Sequence, residues 1–248
     1  MSNLYGLIGK TLSHSFSKKY FTEKFERENI PNSRYELFEL PSIDDFPKLI
    51  AENPSLRGLN VTIPYKEAVI PFLDELSPAA ERIGAVNVIA FSGNRLIGHN
   101  SDYIGFKHSL KNFIPSQALK ALVLGTGGAS KAVCVALEDL HIPYLLVSRT
   151  AHHSTIAYKQ IDLSIMRSHQ LIINTTPLGM YPNINTFPMI PYEWLTEQHY
   201  LYDLVYNPSE TIFLQKGKEK KAKTMGGLAM LYAQAEEAWK IWQNSSMK

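Results

Sequence analysis

The sequence predicts an α/β protein built in two consecutive sections. Three observations carry that expectation. The front section alternates short apolar runs with a helix-periodic stretch, and residues 121–128 spell a buried strand followed at once by a glycine turn. Beyond that turn, further apolar runs at 144–147, 171–173 and 201–205 are the signature of a mostly parallel sheet covered on both faces.

Taken in order, Leu4-Tyr5-Gly6-Leu7-Ile8-Gly9 is an apolar run closed by glycine, and residues 35–40 alternate before Pro41, so both read as strands. Between them Phe16, Tyr20, Phe21 and Phe25 recur at helical spacing and leave Lys18, Lys19, Glu23 and Lys24 for the wet face. Residues 56–63 form the next strand, stopped where Pro64 lacks a ladder donor. A strand at 85–91 is expected to pair with 95–97 across Ser92-Gly93-Asn94. The second section begins near residue 105, with a strand at 121–124 and a helix at 129–140. A last helix is expected at 228–242, and the lysines of 216–223 read as a solvated helix end and loop.

With 248 residues, 45% hydrophobic and 19% charged, the chain has enough apolar material for a folded core. A net charge of +2 is too small for a phosphate-backbone binding surface, so nucleic acid is not expected as a partner. Cys134 stands alone, which excludes an intrachain disulfide and points to a reducing, cytoplasmic compartment. No apolar run reaches membrane-spanning length, and no coherent metal-ligand spacing is found among the histidines, so neither membrane nor metal is expected.

The glycine turn is Gly125-Thr126-Gly127-Gly128-Ala129-Ser130. Between a strand and a helix, such a turn lets backbone N–H groups and the helix dipole meet a pyrophosphate, although a tight turn of purely structural use has the same spelling. The third position of the common G-x-G-x-x-G pattern is Ser130. About twenty residues further on, where an NAD site places an acid, stands Ser148-Arg149-Thr150. A guanidinium pairs with a 2'-phosphate and a carboxylate repels it, so NADP is favoured over NAD. Arg149 is also readable as an ordinary solvated residue.

Asn60-Val61-Thr62-Ile63-Pro64-Tyr65-Lys66 and Gly98-His99-Asn100-Ser101-Asp102 each put polar chemistry beyond a strand. Singly, Lys66 is also readable as a surface lysine, and Asp102 as the cap of a helix beginning at Tyr103. The ordered set, however, resembles the shikimate dehydrogenase family over nearly the whole chain. The matching segments are Ser13-His14-Ser15-Phe16-Ser17, 60–66, Gly84-Ala85-Val86-Asn87, 98–102, 124–130, 148–150, 174–180, 202–208 and 227–234.

The resemblance implies an N-terminal α/β substrate-binding domain over 1–104, a Rossmann-like NADP-binding domain over 105–227, and a C-terminal helix, 228–248, that returns to the first domain. It also implies reversible NADPH-dependent reduction of 3-dehydroshikimate to shikimate in chorismate and aromatic amino acid biosynthesis, by a monomer or homodimer. The family's catalytic pair falls on Lys66 and Asp102, and its substrate contacts on Ser15, Ser17, Thr62, Asn87, Tyr206 and Gln234. Cofactor-side positions are Gly125, Thr126, Gly127, Gly128, Ala129, Ser130, Ser148, Arg149, Thr150 and Gly227. The residue types suit the chemistry: ketone reduction builds negative charge on oxygen, and a lysine ammonium can donate a proton there.

Three departures stand out. Lys18 replaces a common proline, Ser101 and Tyr103 flank the aspartate, and 150–170 is shorter than the family's helix and strand, so a helix is expected to be missing. Met180 and Met230 read as packing residues outside the site. A paralogue acting on quinate or another ring acid, or a non-catalytic sensor, are the alternatives; retention of Lys66 and Asp102 speaks against the sensor.

Overall fold

The apolar run at the N-terminus becomes β1 (Asn3–Gly9), a parallel partner to both β2 (Ser33–Glu39) and β3 (Leu56–Val61). A computed structural model describes residues 3–12, 15–115, 119–152 and 154–245. By its contacts the chain divides into two units, Met1–Ser101 with Ala235–Lys248, and Asp102–Gln234.

In the first unit α1 (Phe16–Arg27) starts at Ser15, whose side chain accepts from Lys18 N, and buries Tyr20, Phe21 and Phe25. Lys24, expected on the wet face, is instead 3% exposed. Its ammonium sits 2.9 Å from Glu28 and 2.9 Å from Glu236 of the closing helix, which offset the cost of burying the charge. The chain continues through α2 (Phe46–Glu52), α3 (Tyr65–Ala68), β4 (Glu75–Leu76) and α4 (Pro78–Ile83) to β5 (Val88–Ser92) and β6 (Arg95–His99). The sheet order is β2-β1-β3-β5-β6-β4. The strand expected at 56–63 stops at Val61 because Thr62 already accepts from Tyr65 N and turns the chain. The strand expected at 85–91 starts at Val88, since Val86 N is spent on Lys66 O. β5 and β6 form the expected antiparallel hairpin, with Gly93 at φ +60 in its turn.

The second unit contains β7 (Ala121–Leu124), α6 (Gly128–Asp139), β8 (Tyr144–Ser148), β9 (Thr155–Ala157), α7 (Leu163–Ser168), β10 (Leu171–Asn174), β11 (Tyr200–Asp203), α8 (Ile212–Glu219) and β12 (Lys223–Met225). Its sheet is parallel throughout, in the order β12-β11-β10-β7-β8-β9. Counted within the unit this is the doubly wound 3-2-1-4-5-6 order, whose direction reverses between β7 and β10. Among the described residues no helix lies between β8 and β9, and the short 150–170 segment holds only β9, a 3-10 turn and α7. Apolar clusters cover both sheet faces, Leu122 and Val147 with Phe213 on one and Val123 and Ile173 with Phe106 on the other.

Two helices cross the division in sequence. Helix α5 (Ser101–Phe113) begins one residue before it, and α9 (Leu228–Ser245) closes the chain. Trp242 of α9 is fully buried in the first unit, where its indole N–H donates to Ile89 O at 3.1 Å and its ring packs on Tyr5 and Phe21. Among the described residues no helix is long and apolar enough to cross a membrane.

Candidate active site

The turn after β3 gathers most of the first unit's candidates. Thr62 N donates to Ile8 O at 2.9 Å, and Lys66 O accepts from Val86 N at 2.7 Å, which places the lysine's backbone beside Asn87. Asn87 O in turn accepts from Val61 N and from the Asn60 side chain. Ser17 lies within hydrogen-bonding reach of the Tyr35 hydroxyl, which donates to Asn60 Oδ1 at 2.7 Å. Ser17, Thr62, Lys66 and Asn87 are therefore brought to one edge. Thr62 and Lys66 are partly exposed, whereas Asn87 is buried.

Ser15 caps α1. A hydroxyl has two acceptor sites and one donor, so accepting Lys18 N leaves the Ser15 hydrogen available. No acid occupies the first turn of this helix, so its N-terminus favours an anion. The Asn87 amide grips the residue before Asp102: its Oδ1 accepts Ser101 N at 2.6 Å and its Nδ2 donates to Ser101 Oγ at 3.1 Å. Asp102 sits within the first turn of α5 and not at a cap ahead of it, because the helix starts at Ser101.

In the second unit, α5 and α9 meet almost backbone to backbone at Gly105, where a Cβ would come within 2.9 Å of Gln234 N. That contact sets Gln234, 9% exposed, one turn from Asp102 along the α5 side of the packing. Tyr206 follows β11 and is 38% exposed, and burial of its remainder pushes the phenol pKa up. Met180 is 41% exposed on the turn after β10 and is not the core filler expected, while Met230 is buried with Phe106.

The glycine turn lies at the switch point of the parallel sheet. Gly125 has φ +112, and a Cβ there would meet Thr175 Oγ1 at 2.7 Å, so only glycine fits between β7 and the turn after β10. Gly127 is exposed with nothing within 4 Å of an added Cβ, and it leaves the N-terminus of α6 without a side-chain cap. Open space in front of uncapped N–H groups is what a pyrophosphate requires, so these residues fit a dinucleotide. Ser130 points inward, its hydroxyl donating to Gly127 O at 2.7 Å, so it braces the turn. Ala129 follows Gly128 in the first turn of α6, and Thr126 is exposed beside Gly127.

Gly125 N donates to Val147 O, so β8 ends next to the turn and delivers Ser148, Arg149 and Thr150 there. The Ser148 hydroxyl is held by Thr150 O, whereas Arg149 is exposed and makes no ion pair among the described residues. His152 is exposed nearby in sequence; His153 and the Ser13-His14 pair lie outside the described residues. Gly227 is buried, and a Cβ would come within 2.1 Å of Leu204 O, so its glycine serves the close approach to the end of β11.

Comparison with known proteins bears on the whole chain. Residues 7–89 match the family model described as the shikimate dehydrogenase substrate binding domain. A shikimate dehydrogenase (NADP(+)) from Clostridium beijerinckii is 41% identical over 253 residues, covering 98% of this chain and 93% of that protein. This chain belongs to the shikimate dehydrogenase family. Among solved members, the Thermus thermophilus shikimate 5-dehydrogenase in complex with NADP(H) and shikimate superposes with a TM-score of 0.85 at 33% identity, covering 98% of this chain and 94% of that one. The quinate dehydrogenase of Corynebacterium glutamicum in complex with NAD gives 0.86 at 26% identity, covering 98% and 94%.

Within this shikimate dehydrogenase family member, sequence reading passed over the buried polar residues behind the candidates. Tyr35, Asn60 and Ser101 support the first unit's edge, and Asn174 and Asp203, with the half-buried Thr176, the second's. The available signal was a polar residue closing an otherwise apolar strand, as Asn174 and Asp203 do.

Proposed function

We propose that this protein is an NADP-dependent oxidoreductase that reversibly reduces 3-dehydroshikimate to shikimate, a step toward chorismate and the aromatic amino acids. The observation that carries the reading is the convergence of Thr62, Lys66 and Asn87 on one strand edge, with Asn87 fastened to the residue that precedes Asp102. The full-length relationship to enzymes named shikimate dehydrogenase (NADP(+)) supports it.

NADPH supplies the hydride. Lys66 donates a proton to the carbonyl oxygen as negative charge develops on it. Asp102 accepts a hydrogen bond from the neighbouring ring hydroxyl and so fixes the ring. In the oxidation direction a base must take that proton, either Lys66 itself or a water it relays to. Ser15 and Ser17 donate to the ring carboxylate at the N-terminus of α1. Thr62, Asn87, Tyr206 and Gln234 pair with the remaining hydroxyls, each of which would cost about 1–3 kcal/mol if buried unpaired.

On the cofactor side, the N–H groups of Thr126 to Ala129 would face the pyrophosphate, with Gly125 and Ser130 shaping the turn, and Arg149 would pair with the 2'-phosphate, flanked by Ser148 and Thr150. Gly227, where a side chain would collide with Leu204 O, would lie on the cofactor side just before α9. The substrate domain is the first unit and the NADP domain the second. The net charge of +2 and single cysteine support a cytoplasmic enzyme with small-molecule partners and no nucleic acid.

The test is NADPH absorbance with shikimate and NADP supplied, repeated with quinate. Formation of NADPH with shikimate in preference to quinate is expected. Turnover of quinate alone would favour the ring-acid paralogue, and absence of any change with either acid would refute the enzyme.

A further inference from the structure

Asp203, the last residue of β11, is fully buried, and its hydrogen-bond partners are all uncharged. Its Oδ1 accepts from Asn174 Nδ2 at 2.9 Å and from Val205 N at 3.0 Å, and its Oδ2 accepts from Thr211 Oγ1 at 2.6 Å. Those three donors belong to three segments: the end of β10, the loop that leads to Tyr206, and the N-cap of α8. A carboxylate is acceptor-only at both oxygens, so one side chain can hold all three at once.

The link runs on from Asn174, which is also fully buried. An amide has two unlike ends, and engaging Nδ2 with a carboxylate turns Oδ1 the other way. Oδ1 then accepts both Thr176 N, at 3.0 Å, and Thr176 Oγ1, at 2.6 Å, while Nδ2 also reaches Leu178 O at 3.3 Å. The turn so shaped lies against the glycine turn. Thr175 Oγ1 donates to Leu124 O at 2.8 Å, and the space over Gly125 is bounded by Thr175 and Thr176.

We propose that Asp203 is a positioning residue for cofactor binding: its carboxylate locks the turn after β10 and the loop after β11 together, and through Thr175 and Thr176 sets the glycine turn. The proposal rests on reading that edge as the NADP site. An amide here would have one acceptor oxygen and a donor in place of the second, so it could not receive all three bonds as they stand, whereas the carboxylate does so at the cost of desolvating its charge.

The charge state of this group is within experimental reach. Burial pushes the Asp203 carboxyl up to about 6, against the pull of its three hydrogen bonds. Burial, Tyr158 and the Asp203 charge together drive the Tyr192 phenol up. Asn174, Val205 and Thr211 are neutral.

The experiment measures NADPH affinity by the fluorescence of the bound dinucleotide in wild type, Asp203→Asn and Asn174→Ala, with melting of the ligand-free proteins recorded alongside. Asp203→Asn keeps the shape and is expected to weaken NADPH about fivefold near pH 8, with the gap closing to within about twofold near pH 5.5, where the wild-type carboxyl has itself taken up a proton. The ligand's own phosphate titrates equally in both proteins and cancels. Asn174→Ala is expected to weaken NADPH comparably, and the double variant no more than either single one. A role in folding alone would lower melting temperatures while leaving the affinity of the folded protein and its pH profile unmoved. Equal affinity in wild type and Asp203→Asn, a gap that does not change with pH, or additive losses in the double variant would each overturn the proposal. Failure of the wild type to bind NADPH would overturn the reading of the edge and the proposal together, and is told apart because it appears without any substitution.

Discussion

Replacing Asn87 with alanine separates holding the substrate from holding the backbone that carries Asp102. Asn87 is 3% exposed and Ser101 fully buried, so water does not replace what the amide supplies. The substitution removes the 2.6 Å acceptor of Ser101 N–H and the 3.1 Å donor to Ser101 Oγ. The hydroxyl can rotate to another partner, but the N–H direction is fixed by the backbone. Leaving that one donor unsatisfied costs about 1–3 kcal/mol, which urea unfolding resolves. If the first turn of α5 relaxes by even about 1 Å, turnover should fall about 10²-fold. Asn87→Asp is the informative companion, because a carboxylate still accepts Ser101 N–H and can accept the Ser101 hydroxyl as well. It should therefore retain more turnover than alanine. Unfolding of Asn87→Ala within about 0.5 kcal/mol of wild type, at undiminished kcat, would refute the argument.

Lys66→Met should cut turnover by about 10²- to 10⁴-fold with little change in melting, since the side chain is partly exposed; near-normal kcat would remove the proton-donor role. Arg149→Ala should weaken NADPH by about 10- to 100-fold and leave NADH nearly unaffected, and equal loss with both dinucleotides would discard the 2'-phosphate assignment. Gly127→Ala and Gly125→Ala should behave differently. The first has φ −81 and open space, so it should keep its melting temperature yet lose NADPH affinity by about tenfold. The second meets Thr175 at φ +112 and should also lose about 1–3 kcal/mol of stability.

The strands were legible because burial on both faces leaves uninterrupted apolar runs, as at Ala121-Leu122-Val123-Leu124 and Leu171-Ile172-Ile173. Gly125 was legible because a strand running straight into glycine leaves few other structures. What stayed hidden depends on partners distant in the chain. Lys24 looked solvated because Glu236, which neutralises it, is 212 residues away. Tyr35 and Asn60 meet across 25 residues, and Asn174 and Asp203 across 29, so neither pair has a local spacing to betray it. The short α2 and α4 carry too few residues to show a helical period, and the early stop of β3 follows from a turn bond at Thr62, which side-chain pattern does not encode.

The candidate chemistry in both units sits where parallel strands end. A parallel strand finishes with carbonyl and amide groups that its neighbours no longer pair, and the helix that follows starts with free N–H groups aimed at the same edge. Thr62 follows β3, Gly125 follows β7, Ser148 and Asn174 close β8 and β10, and Asp203 closes β11. At such an edge a polar side chain has two possible uses, to satisfy the strand ends or to meet a ligand, and buried and exposed residues divide accordingly. Asn174 and Asp203 are buried and spend their hydrogen bonds on each other, on nearby backbone and on the hydroxyls of Thr176 and Thr211, whereas Arg149, Thr126 and Gly127 face outward. The inner set makes the outer set rigid: removing an inner residue should change how tightly the folded protein binds, and removing an outer one should change which ligand it binds.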